Sequence, residues 1–221
     1  MHLKFNLLLV FTLLGAAVSA QSFFPGSLTF TNGTIRKCLV SPPADYAKKE
    51  IICKQKVNSP KEEIPNDSLS LLSITLANGE IIDVECIPIA FNENKKPSKK
   101  NWLLVLETGY ATLYMRSVYE ISDKHGASVV SKYTIERSAP SFAYYIKKKD
   151  KKVAVYFAET SSTVTYVGLN SVLKKSAETY LNEDPELVTQ IHDKKYTHRD
   201  VFQIIRIYNE FMLKKLENPG H

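Results

Sequence analysis

Apolar and polar residues alternate over residues 27–157, which is the pattern of half-buried β-strands. Two segments of this region, residues 28–38 and 73–86, each place Asn-Gly between alternating runs. Asn-Gly supplies the positive φ angles of a two-residue type I′ turn, so both segments are predicted to be β-hairpins. Their likeness, TFTNGTI against ITLANGEI, indicates either a weak duplication or the shared demands of tight turns, and we favour the turns.

Further strands are predicted in the same region by β-branched and aromatic residues between turn residues. They cover residues 50–55, 102–107, 111–121, 128–137, 142–146 and 153–158. Residues 58–67 are expected to form a polar, proline-containing loop. The last two strands are expected to pair across a lysine-rich turn.

After Gly168 the apolar residues recur at helical spacing. A second helix is predicted at Asp184, whose side chain caps it while Pro185 takes the first helical position. A third is predicted from Thr197, with Asp200 completing a variant of the capping box. The apolar positions of the three helices are Leu169, Val172, Leu173, Ala177, Tyr180 and Leu181, then Leu187, Val188 and Ile191, then Val201, Ile204, Ile205, Tyr208, Phe211 and Met212.

The pattern therefore predicts an α+β fold, with an antiparallel, hairpin-rich β region followed by a C-terminal three-helix segment. We divide it into an N-terminal β subregion (21–91), a second β-hairpin subregion (92–166) and a helical segment (167–216). Residues 1–20 are left out of this division because their sequence is typical of a targeting segment.

These first twenty residues predict a secretory signal peptide. Lys4 precedes an apolar run from Leu7 to Leu14, and Val18-Ser19-Ala20 carries small residues at the cleavage positions. The run is far shorter than the roughly 20 residues that cross a bilayer. We expect cleavage before Gln21, no transmembrane segment in the mature chain, and a periplasmic or extracellular protein.

Charge adds little to this picture. The chain has 29 Lys and Arg against 23 Asp and Glu, a formal net charge of +6. Its basic clusters fall in predicted loops and turns: Lys95-Lys96, Lys99-Lys100, Lys147-Lys148-Lys149 and Lys151-Lys152. They lack the interleaved aromatic residues of nucleic-acid surfaces, so we expect no nucleic-acid partner. We interpret them as solvated loop charges, with attraction to an anionic envelope surface as the alternative.

Three cysteines, Cys38, Cys53 and Cys86, are an odd number for a secreted protein, so one thiol stays free, pairs between chains or is buried. Cys38 and Cys53 flank a short connection and are expected on neighbouring strands, where a disulfide is permitted but not required. Without a C-x-x-C pair and with scattered histidines, no metal site is predicted. The apolar surroundings of Cys86 should raise its pKa and leave it inert.

Four motifs carry a resemblance: a hairpin on NGTI, the segment VLETGYATLYMRS, the strand FAYYIKK, and the block LNEDPELVTQIHDKKYTHRDVFQIIRIYNEF. In this order they resemble an uncharacterised family of small secreted proteins of Bacteroidetes-type bacteria, over roughly residues 24–211. The most specific pieces are Gly109 to Tyr114, Asp184-Pro185, Lys195-Tyr196-Thr197 and Tyr208-Asn209. The resemblance implies an architecture and an envelope location, with no chemistry. Asn78-Gly79 and the cysteines depart from the common form.

Motifs of catalysis are missing from the sequence. It has no G-x-S-x-G, H-E-x-x-H, P-loop or glycine-rich dinucleotide turn, so no catalytic residue and no cofactor is assigned. His198 beside Asp193 or Asp200 is the nearest approach to a catalytic pair. We favour a structural interpretation, in which Asp200 serves the helix N-terminus and His198 is exposed in the same turn.

Tyrosines on the predicted strands are the remaining candidates for binding, above all Tyr110, Tyr145 and Tyr156. Tyr144 and Tyr145 are adjacent and point to opposite faces of a strand, so at least one should lie outside the main core. If Tyr145 and Tyr156 share an exposed face, it would suit a glycan or a peptide. We therefore expect an exported, non-enzymatic binding or scaffold protein of the cell envelope or extracellular space, with a small secreted hydrolase of envelope polymers as the alternative.

Overall fold

The computed structural model describes residues 23–43, 46–116, 141–161 and 168–218. The strands are β1 (Phe24–Phe30), β2 (Ile35–Ser41), β3 (Glu50–Lys54), β4 (Glu62–Pro65), β5 (Leu69–Thr75), β6 (Ile81–Ala90), β7 (Lys100–Glu107), β8 (Ala111–Arg116), β9 (Ser141–Lys148) and β10 (Ala154–Ser161). The helices are α1 (Leu169–Tyr180), α2 (Pro185–His192) and α3 (Val201–Glu217). The signal peptide, the strand predicted at 128–137 and the end of the strand predicted at 111–121 lie outside the described residues.

The ten strands form one sheet in the order β10-β9-β8-β7-β6-β5-β1-β2-β3-β4, and the three helices follow it in the chain. This is the predicted α+β fold. Among the described strands, all pairs are antiparallel except the parallel pair of β10 with β6, so the sheet is mixed. Strands β6 and β7 pair with each other across the subregion boundary at 91–92.

Both Asn-Gly segments form hairpins, but the predicted type I′ turn is wrong. In the first, the amide of Phe30 bonds to the carbonyl of Thr34 at 2.8 Å and the amide of Gly33 to the carbonyl of Phe30 at 2.9 Å. Gly33 has a φ of 85°, whereas Asn32 does not have a positive φ. The loop is therefore a type I turn followed by a left-handed glycine. The second hairpin repeats this arrangement around Gly79, with a φ of 84°.

Strand β4 lies inside the segment predicted to be a loop. It pairs antiparallel with β3 at the end of the sheet. Ile64 is its only buried residue, so the alternation is too short to stand out in the sequence. Glu62 and Glu63 place negative charge on this edge strand, and Pro65 has no backbone N–H to donate. Both features disfavour pairing of the edge with another chain.

Strands β6 to β10 curl into a closed ring, because Ala154 and Val155 of β10 pair with Ile89 and Ala90 at the end of β6. The ring encloses a small core of Ile87, Leu103, Tyr114, Tyr145 and Ala154. Its outer face carries a second set, including Leu113, Met115, Tyr144 and Phe157, which packs against the helices.

Both faces of the central strands are therefore covered. Tyr144 and Tyr145 do point to opposite faces, but they are only 3% and 5% exposed. Tyr144 belongs to the large core under the helices and Tyr145 to the small core inside the ring, so one of them does lie outside the main core, but neither is open to solvent because the helices and the closed ring cover the two faces.

The helices follow the predicted pattern closely. Asp184 accepts a hydrogen bond from the amide of Leu187 at 3.0 Å, and Pro185 is the first helical residue, as predicted. Helix α3 begins at Val201 and not at Thr197. The carboxylate of Asp200 reaches back to the amide and hydroxyl of Thr197, both at 2.8 Å, and closes a turn that precedes the helix.

The predicted apolar stripes of the helices face the sheet. Buried residues of this core include Leu173, Ala177, Tyr180, Leu187, Ile191, Val201, Ile204, Ile205, Tyr208 and Met212. None of the described helices combines the length and the apolar character needed to cross a membrane.

Candidate functional site

The junction between β8 and α3 is built on one amide side chain. Asn209 accepts from the amide of Ala111 at 2.8 Å and donates to the carbonyl of the same residue at 2.9 Å. Ala111 has no partner residue in β7, where the pairing with β8 begins at Glu107 and Leu113. Asn209 thus takes the place of a neighbouring strand at the start of β8.

Gly109 makes this contact possible. A Cβ atom there would lie 2.4 Å from the amide nitrogen of Asn209, well inside contact distance. Gly109 does not have a positive φ, so its backbone conformation does not require glycine. Glycine is needed at this position because a side chain would collide with Asn209. Gly109 and Asn209 belong to two of the most specific pieces of the sequence resemblance, and here they touch.

Glu183 forms the second tie between sheet and helices. It accepts from Lys148 Nζ at 2.6 Å and from the Tyr208 hydroxyl at 2.9 Å. Burial opposes the charge of Glu183, but the bonds from Lys148 and Tyr208 outweigh it and hold its pKa below the ordinary value. Burial and the neighbouring carboxylate raise the pKa of Tyr208, so its hydroxyl stays a donor. Tyr110 packs edge-on against Tyr208, with ring centroids 6.1 Å apart.

A groove of about 540 Å³ lies over this junction. The turn between β7 and β8 forms one wall and the second half of α3 the other, with Lys149 between β9 and β10 on the rim. Its apolar surface is Tyr110, Leu213 and Leu216, and the two leucines are 58% and 62% exposed. Its charged groups are Glu107, Lys149, Arg206 and Glu210, of which Arg206 and Glu107 form an ion pair at 3.2 Å.

The three candidate tyrosines divide between two places. Tyr110 lines the groove and is half-buried. Tyr145 and Tyr156 are directly paired on the inner face of the ring, with centroids 5.8 Å apart, so they share a face. That face is not the open surface a ligand needs, since Tyr145 is 5% exposed. Tyr156 is half-buried, and the exposed Phe91 stacks on it at 5.4 Å.

A charged group also lies inside the ring. Glu85 accepts from Lys147 Nζ at 2.5 Å and from the hydroxyl of the fully buried Tyr114. Two lysines of the run that was expected to be solvated, Lys147 and Lys148, are thus engaged by carboxylates on opposite faces of the sheet. The reason is that β9 continues to Lys148, so consecutive side chains alternate between faces.

Cys38 and Cys53 lie on the paired strands β2 and β3, as expected. The structure has them as free, buried thiols, with Cys53 Sγ 3.0 Å from a guanidinium nitrogen of Arg36. Burial and the nearby Cys53 raise the pKa of Cys38 to about 11. The disulfide between them stays a prediction. Cys86 is buried too, and burial raises its pKa to about 12, as the sequence indicated.

The histidine candidate has structural contacts. His198 Nδ1 lies 2.9 Å from the side-chain oxygen of Asn170, and burial lowers its pKa. Asp200 is engaged by Thr197 and does not orient the imidazole. Within the described part of the chain, no group of three His, Cys, Asp or Glu residues is placed to hold a metal ion.

The chain matches no family model, no curated protein and no solved structure. The groove therefore has to be interpreted from its own residues. Sequence reasoning found Tyr110 and missed Lys148, Glu183, Arg206 and Asn209, which look like solvent-facing positions of a turn, a loop and a helix. The sequence signal that could have found Asn209 is that Tyr208-Asn209 and the segment beginning at Gly109 are both among the most specific motifs of the resemblance.

Proposed function

We propose that the protein is an exported, non-enzymatic binding protein whose site is the groove between the β7–β8 turn and α3. The observation that carries this proposal is the pair of exposed leucines, Leu213 and Leu216, facing Tyr110 across a preformed cavity. Clustered exposed apolar residues in a concave site favour ligand binding over simple packing.

The groove lining carries two cations and two carboxylates, and since Arg206 is paired with Glu107, we assign to Lys149 the binding of an anionic group on a ligand with an apolar body. Tyr110 and the leucines contact the apolar part, and the exposed Lys149 on the rim supplies a positive charge. The polar groups beneath, Asn209 and Glu183, are committed to internal bonds, so they hold the walls in place. Such preorganisation lowers the entropic cost of binding.

Anilinonaphthalene sulfonate, an aromatic anion, is a suitable test ligand. Its fluorescence titration should show one saturable site on the folded protein, weakened in Leu213→Ser and in Lys149→Gln. Ile81→Ser is the matched control, because Ile81 is 64% exposed at a distant hairpin and should bind the dye normally. A dye affinity unchanged in Leu213→Ser would exclude the groove as the site.

The hydrolase alternative makes a different prediction. Glu107 and Glu210 both line the groove, and a hydrolase would need such carboxylates to act on a bound polymer. Incubation with purified cell-wall polymer should release no soluble fragments if the binding proposal is correct. Release that disappears in Glu107→Gln or Glu210→Gln would favour the hydrolase.

A further inference from the structure

The end of α3 and the turn between β9 and β10 form one basic surface with an apolar centre. The last buried residue of α3 is Met212, and the following residues Leu213 to Glu217 are exposed. Leu213 and Leu216 line the groove together with Lys149, so the lysine-rich turn lies beside them. The charged residues Lys149, Arg206, Glu107 and Glu210 line the groove with the two leucines, and Lys214 and Lys215 stand between them along α3.

This surface carries more positive than negative charge. Its six cations are Lys149, Lys151, Lys152, Arg206, Lys214 and Lys215, all exposed. Its four carboxylates are Glu107, Asp150, Glu210 and Glu217, of which Glu107 bonds to Arg206 at 3.2 Å and Asp150 lies 3.9 Å from Lys151. The two lysines that precede the turn at the end of β9, Lys147 and Lys148, are tied inward to Glu85 and Glu183, which fixes the start of the turn on the sheet.

We propose that the groove's ligand, which has an apolar body and an anionic group, is an anionic phospholipid in a membrane. The end of α3 and the β9–β10 turn then lie on the bilayer surface. This inference rests on the proposed function, because both use Leu213 and Leu216. Exposed aliphatic residues surrounded by lysines are typical of elements that lie in a membrane interface. Lysine stems extend along apolar material while their ammonium groups reach the phosphates.

The residue types favour a lipid surface over a folded protein partner. Protein interfaces are depleted in lysine and enriched in aromatic residues and arginine at their centre. Here five of the six cations are lysines, the one arginine, Arg206, is paired with Glu107, and the exposed centre is two leucines beside the half-buried Tyr110. An anionic bilayer matches both the apolar centre and the sign of the surrounding charge.

Vesicle co-sedimentation tests the inference. The protein is recovered after export and its N-terminus checked by mass, because an uncleaved apolar segment at residues 7–14 would bind lipid by itself. We expect binding to vesicles of phosphatidylglycerol mixed with phosphatidylcholine, little binding to phosphatidylcholine alone, and a loss of binding at high salt. Equal binding to both kinds of vesicle would overturn the inference.

Substitutions locate the contact. Lys151→Gln and Lys152→Gln should each weaken vesicle binding about fivefold, the usual effect of one lysine near an anionic surface. They lie outside the groove lining, so binding of anilinonaphthalene sulfonate should not change. The matched control is Lys95→Gln with Lys96→Gln, which removes two exposed charges elsewhere and should leave vesicle binding intact.

The two proposals fail in different ways. Saturable dye binding without vesicle binding would overturn the membrane inference and leave the groove as a site for a soluble ligand. Absence of saturable dye binding would contradict the proposed function. If Lys95→Gln with Lys96→Gln weakened vesicle binding as much as the turn variants, binding would depend on net charge and the membrane surface assigned here would be wrong.

Discussion

The contact between Gly109 and Asn209 leads to a prediction of strong non-additivity. Asn209→Ala removes both hydrogen bonds that hold the start of β8. Gly109→Ala should have the same effect by another route, because its Cβ would lie 2.4 Å from the Asn209 side chain and must displace it. Once Asn209 is alanine, the three atoms nearest to the new methyl group, all of the Asn209 side chain, are gone.

The magnitude follows from the two bonds, of 2.8 and 2.9 Å. A neutral hydrogen bond contributes about 1 kcal/mol net, and a buried group left without a partner costs about 1–3 kcal/mol. Ala111 is 0% exposed, so water does not readily replace Asn209. Each single substitution should therefore lower the free energy of unfolding by about 2–4 kcal/mol, with a coupling energy of similar size in the double variant.

Urea unfolding of the four proteins measures this cycle, and melting temperatures should fall by about 5–15 °C in either single variant. Glu210→Ala, at an exposed neighbouring position, is the control and should change stability by no more than about 0.5 kcal/mol. A double variant whose loss equals the sum of the single losses would refute the reasoning, since it would show that Gly109→Ala acts without moving Asn209.

Three further predictions concern other parts of the fold. Glu183→Gln should lower stability at neutral pH. The difference from the wild type should begin to shrink as the pH falls through the ordinary carboxyl pKa of 4.5 and should vanish only below the lowered pKa that Glu183 has in the folded protein, where the group is no longer ionised; pH-dependent urea unfolding measures this. Gly33→Val should cost about 1–3 kcal/mol because of its positive φ, and Gly33→Asn much less, by the same assay. In a protein with Cys38→Ser and Cys53→Ser, Cys86 should be alkylated far more slowly in the folded protein than in urea at the same mildly alkaline pH, because the thiol is buried and burial raises its pKa; equal rates in the two states would contradict its burial.

The sequence pattern correctly predicted the elements that depend only on residues close together in the chain. The cap at Asp184-Pro185 and the apolar stripe through Ile204, Ile205 and Tyr208 depend on neighbours within one or two turns, and both are confirmed. The prediction of the turn type was wrong because Asn-Gly is compatible with two kinds of hairpin loop, one of two residues and one of three. The choice depends on which strand residues pair, and Thr29 with Ile35 fixes it here.

Contacts between segments that are distant in the chain could not be predicted from the sequence pattern, for a physical reason. The ring closes through only two residue pairs of β10 and β6, and those residues look like ordinary strand positions. The closure is what buries Tyr145 and removes one of the candidate binding faces. The groove has the same origin, because its residues come from three segments that meet only in the folded chain.

The lysine-rich turn shows most clearly why composition misleads at such a site. Its residues are chemically alike, so the sequence gives them one role as solvated charges. Strand alternation sends Lys147 to Glu85 inside the ring and Lys148 to Glu183 under the helices, while Lys149 reaches the rim of the groove. A lysine bonded to a partly buried carboxylate fixes backbone position, whereas an exposed one remains available to an external anion. The two inward lysines thus fix the end of β9, from which the turn with the outward lysines of the proposed membrane surface continues.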